Sequence, residues 1–232
     1  MTKGYIFDYG GTIDTRGDHW GRVLWKCYKR CGMPVTEQQF REAYVHAERV
    51  LGRNPIVKPS FTFLKTLGTK LRIEMEYLMT EGYWDVSEEG YVMKHSEILK
   101  MVYGETCGIV AENRSVLKEL GREHPLVLVS NFYGNMPTVL GEFGLDGLFV
   151  SVVESAVVGI RKPDPRIFSL GVEALQLPAR DVTVVGDSYY KDILPARSLG
   201  CRTVWIKGQG WTDEEYDLTV PDKVISRLDE LL

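Results

Sequence analysis

The sequence predicts an α/β protein, a doubly wound parallel sheet with a second, smaller all-helical domain inserted after its first strand. Three observations carry this. Short apolar runs such as "LVLV" and "VTVV" are unbroken rather than alternating, as in strands covered on both faces. Helical patterns separate these runs through short connections, the order expected of helices that cross over a parallel sheet. From residue 16 to residue 103 the patterning is helical throughout.

Strands are expected at residues 3–8, 125–130, 148–154, 182–187 and 202–206, with helices at 112–122, 137–143, 165–175 and 192–199. In the insert, Trp20, Val23, Leu24, Cys27, Tyr28 and Cys31 share one face at helical spacing, and Gly32 and Pro34 stop that helix. Thr36 and Gln39 have capping-box spacing and open a second helix, whose apolar stripe is Phe40, Tyr44, Ala47 and Leu51. "GRNPIVKPS" is a loop by its glycine and two prolines. Two further helices are expected at 61–79 and 87–103, and the tail segment "GQGWTDEEYD" as a surface loop leading to a last helix. The core domain then comprises residues 1–15 and 104–232, and the helical domain 16–103.

Composition narrows the function. The chain has 232 residues, 44% hydrophobic and 26% charged, with a formal net charge of −4, as in ordinary globular proteins. Without a run of Lys or Arg it lacks the electrostatic footprint of a nucleic-acid binder. No stretch reaches the length of a membrane span, and strand patterning begins within the first residues where a signal peptide would lie. The four cysteines, Cys27, Cys31, Cys107 and Cys201, are too few for a disulfide framework and lack partners at metal-ligand spacing. A cytoplasmic protein, monomer or homodimer, is expected.

In an open parallel sheet, ligands bind beyond the carboxyl ends of the strands. The first strand ends in Asp8, the second in Ser130 and Asn131, and the fourth in Gly186, Asp187 and Ser188, while Lys162 follows the third in "GIRKPDPRIF". Two converging carboxylates repel unless a cation lies between them, and Mg²⁺ with oxygen ligands is the natural one. A phosphate beside that ion is neutralised further by Lys162 and held by Ser130 and backbone amides.

"FDYGGTID", "VLVSN", "GIRKPDPRIF" and "VVGDSYYKD", in this order and at these strand ends, resemble the four motifs of the haloacid dehalogenase superfamily. The helical insert stands where one group of that superfamily carries its mobile cap, so the resemblance covers the whole chain. It implies Asp8 as a nucleophile that forms an aspartyl-phosphate. Mg²⁺ would be held by Asp8, the carbonyl of Gly10 and Asp187, and a small phosphorylated metabolite by Gly11, Thr12, Ser130, Asn131 and Lys162. Asp192 and Ser188 would support the metal shell, Asp192 either through a metal-bound water or by orienting Lys162.

The sequence departs from the pattern at one place. Phosphatases of this superfamily carry an Asp two positions after the nucleophile, which protonates the leaving oxygen, and here that position is Gly10. Three readings follow. A phosphatase would take its acid from elsewhere, with His19 and Asp18 as candidates, or act on substrates with good leaving groups. Phosphonatase-type carbon–phosphorus hydrolysis would use a cap lysine, from Lys26, Lys29, Lys58, Lys65 and Lys70. A phospholigand-binding protein would not turn its ligand over. Dehalogenase chemistry is disfavoured by Asp187, which the true dehalogenases lack. Over the site, Tyr9, the 52–61 loop, Arg53 and Lys58 are candidates for reading substrate, and Trp20 and Trp25 for packing.

Overall fold

A computed structural model describes residues 2–212 and 214–232; Met1, and Asp213 of the tail segment, lie outside the described residues. Six parallel strands form one sheet in the order β3-β2-β1-β4-β5-β6. They are β1 (Gly4–Phe7), β2 (Leu126–Ser130), β3 (Ser151–Glu154), β4 (Val182–Gly186), β5 (Arg202–Ile206) and β6 (Lys223–Ile225). β1 and β2 are buried throughout, which is why their apolar runs do not alternate. Successive residues still face opposite ways. Tyr5, Phe7, Leu126, Leu128 and Val185 join one apolar cluster, and Ile6, Val127, Val129, Val182 and Val184 join another on the opposite face.

Four helices lie between β1 and β2, namely α1 (Trp20–Arg30), α2 (Glu37–Arg53), α3 (Phe63–Thr80) and α4 (Glu88–Leu120). The later helices are α5 (Met136–Glu142), α6 (Ser155–Val158), α7 (Arg166–Leu175) and α8 (Leu194–Ser198). The fold is thus a doubly wound α/β core with an inserted helical cap. The Thr36 capping box forms, with Thr36 accepting from the Gln39 amide and Gln39 accepting from the Thr36 amide. Phe40, Tyr44, Ala47 and Leu51 are buried as the stripe requires. Cap and core are not separate in packing, because Leu24, Tyr28, Phe40, Leu71 and Ile98 belong to the same apolar cluster as Phe7 and Leu128.

Several elements differ from the sequence expectation. The patterns at 87–103 and 112–122 are one 33-residue helix, α4. Gly104 and Gly108 do not break it. Both face open space, and their cost of about 1 kcal/mol each is offset by Ile98, Val102, Val110 and Leu117 buried on either side. The third strand begins only at Ser151, because Leu148 and Phe149 pack against the core from the turn after α5. The helix expected at 192–199 opens earlier, as a π-helical turn at Tyr189–Ile193 that runs into α8. In place of a last helix the chain ends in β6 and one 3₁₀ turn, Leu228–Leu231. Three residues with a single buried side chain, Ile225, are too short a pattern to identify a strand from sequence. Among the described residues, no helix is long and apolar enough to cross a membrane.

One carboxylate is buried within the cap. Glu74 of α3 is fully enclosed and accepts from the Tyr28 hydroxyl at 3.0 Å, while its Oε1 has no hydrogen-bond partner among the described residues. Burial pushes its pKa up to about 7. The folded protein therefore holds a proton that the unfolded chain releases above about pH 4.5. The contribution of Glu74 to stability is greatest below that pH and falls as pH rises to about 7. We expect denaturant unfolding to show this slope, worth about 3 kcal/mol at most, and Glu74→Gln to remove it. A wild-type and a variant curve that stay parallel from pH 4 to 8 would contradict the assignment.

Candidate active site

The strand order brings the first and fourth motifs together. β1 and β4 are neighbours at the point where the chain reverses its winding, with Phe7 paired to Val185, so Asp8 and Asp187 emerge side by side at the carboxyl edge. The Asp8 amide donates to the Val185 carbonyl at 3.0 Å, which fixes where the chain leaves the sheet. The turn that follows is tight. Gly11 has φ +99°, and a Cβ there would stand 2.3 Å from the Asp187 carboxyl carbon, so only glycine allows the backbone this close. Asp187 is held from two further directions. Thr12 Oγ1 donates to its carboxylate at 3.3 Å, and the Trp205 indole donates to its carbonyl at 2.7 Å.

Lys162 is the centre of the charge arrangement. Its ammonium donates to Asp8 Oδ1 at 2.5 Å and to Asp192 Oδ1 at 2.7 Å, with all three side chains almost wholly buried. Burial alone would lower its pKa, but Asp192 and Asp8 raise it above the ordinary value, so it stays charged. Asp192 takes its second oxygen to the Ser188 amide at 2.9 Å. Of the two roles open to Asp192 in the sequence, direct contact with Lys162 is the one its geometry displays. Oxygens of Asp8, Asp187 and Asp192 lie within 4.8 Å of one another, three acids against one ammonium. Burial, then the neighbouring Asp8 and Asp192, push the Asp187 pKa well up. A hard divalent cation bound by oxygen would relieve that excess, so the donor set fits Mg²⁺.

These groups form the floor of a cavity of about 470 Å³ lying between core and cap. Gly10, Gly11, Ser130, Asn131 and Ser188 also line it, whereas Thr12 is fully buried behind it. The Asn131 side chain is engaged by the backbone of Lys162. It donates to the Lys162 carbonyl and accepts from the Lys162 amide, at 3.0 and 2.9 Å, and so clamps the loop that carries the lysine. Ser188 accepts from the Lys191 amide and caps the π-helical turn.

The space beside Gly10 is occupied by Trp20, which lines the cavity as well as packing on Phe63. Its indole donates to Asp14 Oδ2 at 3.1 Å, and Asp14 Oδ1 accepts from the Gly11 amide at 2.7 Å. Asp14 is buried beneath the turn, and burial pushes its pKa up to about 8. The two candidate substitute acids separate. Asp18 is engaged by Lys26 and the Gln209 amide, at 2.7 and 2.8 Å. His19 reaches the cavity, but its Nδ1 accepts from the Gly21 amide at 3.1 Å and burial lowers its pKa to about 4. At neutral pH it is an uncharged Nε2–H donor rather than an acid.

The other cap residues fall out as follows. Tyr9 is fully buried in the core, edge-on to Phe132. Arg53 and Lys58 are exposed and do not line the cavity. Trp25 stacks on Phe40 within the cap. Of the five candidate lysines, Lys70 lines the cavity, while Lys26 pairs with Asp18 and Lys65 lies over Phe61. Sequence reasoning missed Glu48, Tyr133 and Trp211, which also line it. It also missed Glu154, which accepts from the Gly134, Asn135 and Met136 amides and shapes the loop after β2. No spacing rule links such positions, since they meet only when helices pack.

Comparison with known proteins agrees with this architecture. A model of the haloacid dehalogenase-like hydrolases matches residues 2–200. The chain is 34% identical over 138 residues to haloacid dehalogenase-like hydrolase domain-containing protein 3 of Danio rerio, 56% of each chain. It is 33% identical over 91 residues to glyceraldehyde 3-phosphate phosphatase of Pyrococcus abyssi, 39% of this chain and 38% of that one. The chain therefore spans little more than half the length of the first relative and less of the second. It is 27% identical over 230 residues to phosphoglycolate phosphatase of Vibrio parahaemolyticus, 97% of this chain and 92% of that one. Among solved structures, the L-2-haloacid dehalogenase RSc1362 superposes with TM-score 0.62 at 18% identity, covering 99% of this chain and 96% of that one. The hydrolase YfnB of Bacillus subtilis, bound to magnesium, gives 0.57 at 17%, with coverage of 99% and 96%. The chain belongs to the haloacid dehalogenase-like hydrolases.

Proposed function

We propose that the protein is a Mg²⁺-dependent phosphatase of a small phosphorylated metabolite, acting through an aspartyl-phosphate at Asp8. Residues 1–15 and 104–232 form the catalytic unit and 16–103 its cover. The observation that carries this reading is the buried Lys162 ammonium bridging Asp8 and Asp192 beside Asp187, at the floor of a cavity that the cap covers. The names of the relatives support it, since they include phosphatases of glyceraldehyde 3-phosphate, phosphoserine and phosphoglycolate.

In this reading the phosphoryl oxygens are met by Lys162 and the Ser130 hydroxyl, since the Gly11 and Thr12 amides expected to help are engaged by Asp14 and the Tyr9 carbonyl. The Asp8 oxygen not engaged by Lys162 attacks phosphorus, and the bond to the leaving oxygen breaks. Water then attacks the acyl phosphate, releases inorganic phosphate and restores the Asp8 carboxylate. Lys162, kept in place by Asp192 and by the Asn131 clamp on its backbone, balances negative charge through both steps. Asp8, Asp187 and the Gly10 carbonyl would hold Mg²⁺, which would supply further charge neutralisation. With no side chain at position 10 to protonate the leaving oxygen, substrates with good leaving groups need least help.

The glycine at position 10 also favours a second reading, a protein that binds a phosphorylated ligand with little or no turnover. The two separate on phosphate release from acetyl, aryl and polyol phosphates, measured with Mg²⁺ and with a chelator. Release that requires Mg²⁺ and ranks with leaving-group quality is the expected result. A folded, Mg²⁺-binding protein that releases no phosphate from any of these would favour the binder.

A further inference from the structure

The cap wall of the cavity carries a second charge arrangement, whose two charged residues are remote in sequence from all four motifs. Lys70 of α3 is 8% exposed, and its ammonium pairs with Glu48 of α2 and lies 3.9 Å from the centre of the Tyr44 ring. The Tyr133 hydroxyl, three residues beyond Ser130 in the core, donates to the other Glu48 oxygen at 3.3 Å. All four side chains line the cavity that holds Asp8. Lys70 is buried, whereas the Glu48 side chain keeps 40% of its surface exposed, and an ion pair so placed is a poor source of stability, since desolvation of the lysine and screening at the glutamate offset the attraction. Its place in the cavity wall calls for a ligand.

The chemistry of that wall is specific. The ammonium has three N–H groups, of which one serves Glu48 and one faces the Tyr44 ring, leaving a donor for the cavity. Each Glu48 oxygen has a second lone pair beyond its present bond. A donor and an acceptor thus stand side by side with no net charge. A lone ligand carboxylate there would face Glu48 and a lone ammonium Lys70, and a zwitterion would have to be stripped of water at both of its charges. A hydroxyl, which both donates and accepts, suits both at once. Aromatic rings of Tyr44, Trp20 and Phe63 line the same cavity and offer apolar faces to C–H groups.

We propose that Glu48 and Lys70, steadied by Tyr133, select the non-phosphate end of the substrate, and that this end is an uncharged polyhydroxy chain or ring. The substrate class is then a polyol or sugar phosphate rather than a phosphorylated amino acid or carboxylic acid. This rests on the phosphatase reading above.

The test is a ratio. kcat/KM is measured for glycerol 3-phosphate, phosphoserine, phosphoglycolate and phenyl phosphate with wild type and with Lys70→Met/Glu48→Gln, which removes both charges together and leaves neither unpaired. Wild type is expected to favour glycerol 3-phosphate over the two charged substrates. The double variant is expected to lower the glycerol 3-phosphate to phenyl phosphate ratio about 10- to 100-fold. Tyr133→Phe, which removes one hydroxyl and leaves the fold least disturbed, is expected to lower the same ratio several-fold. A wild type that favours phosphoserine or phosphoglycolate overturns the proposal, as does a ratio unchanged in the Tyr133 variant and in the double variant, if folded. If wild type turns over none of the four, nor acetyl phosphate, the phosphatase reading fails by itself. Calorimetry with Mg²⁺ and the same four compounds then decides the selectivity, and glycerol 3-phosphate binding no tighter than phosphoglycolate sinks it.

Discussion

Asp8→Asn is expected to lower phosphate release by at least about 10³-fold while leaving the metal-free protein as stable as wild type or more so. The two effects have separate causes. The amide cannot attack phosphorus, so the covalent step is lost. In the metal-free fold, however, Asp8, Asp187 and Asp192 surround a single ammonium, and removing one negative charge relieves repulsion on Asp187. Lys162 keeps Asp192 as its partner and still finds an oxygen on the new side chain. Thermal unfolding in chelator should therefore show no fall in the midpoint, whereas the rise in midpoint on adding Mg²⁺ should shrink, because a ligand is gone. Activity that survives the substitution would remove Asp8 from the nucleophile's role. A marked loss of metal-free stability would mean that its main task is to hold Lys162.

Gly10→Asp is expected to act in the opposite direction. A Cβ at Gly10 would meet the Trp20 indole nitrogen at 3.8 Å, an ordinary contact, and Gly10 is not among the residues with positive φ. The backbone therefore accepts a side chain, and the new carboxyl would stand at the cavity beside the indole N–H that now serves Asp14. General acid–base help is worth about 10²–10⁴ in rate. The gain should appear with alkyl phosphates, whose leaving oxygen needs a proton, and be small with acetyl phosphate, whose leaving group does not. The measurement is kcat/KM for glycerol 3-phosphate against acetyl phosphate in both proteins. Equal changes for the two substrates would show that the substitution altered binding or folding rather than proton transfer. Trp20→Phe in the same background, by opening space beside the new carboxyl, would show whether the indole limits the gain.

The parts of the protein visible in its sequence are those encoded over a few consecutive residues. Unbroken apolar runs mark β1, β2 and β4 because both faces of those strands are covered, and the period of the Thr36–Leu51 segment marks α2. Each strand end announces its own chemistry. Asp8, Ser130 and Asp187 stand one residue past, or at, the last paired position, and the parallel order carries them to one edge. The boundaries that shifted were those decided by tertiary contacts. α4 continues through two glycines because packing on both sides holds it, and β6 forms because the edge of β5 is there to pair with.

Within the site the same division holds. The residue types on the carboxyl edge of the sheet were set by local sequence, and so was the glycine at position 10. What each of them touches was not. Asn131 clamps a lysine 31 positions away, Trp20 fills the space over Gly10, and His19 is neutralised by burial. The Glu48–Lys70 pair and Tyr133 meet across 85 positions, through the packing of α2 and α3 over the core. A strand end delivers its side chain to a place fixed by the sheet, so one motif suffices to read it. A helical cap has no such edge, and which of its side chains face the cavity depends on how every helix beneath them packs.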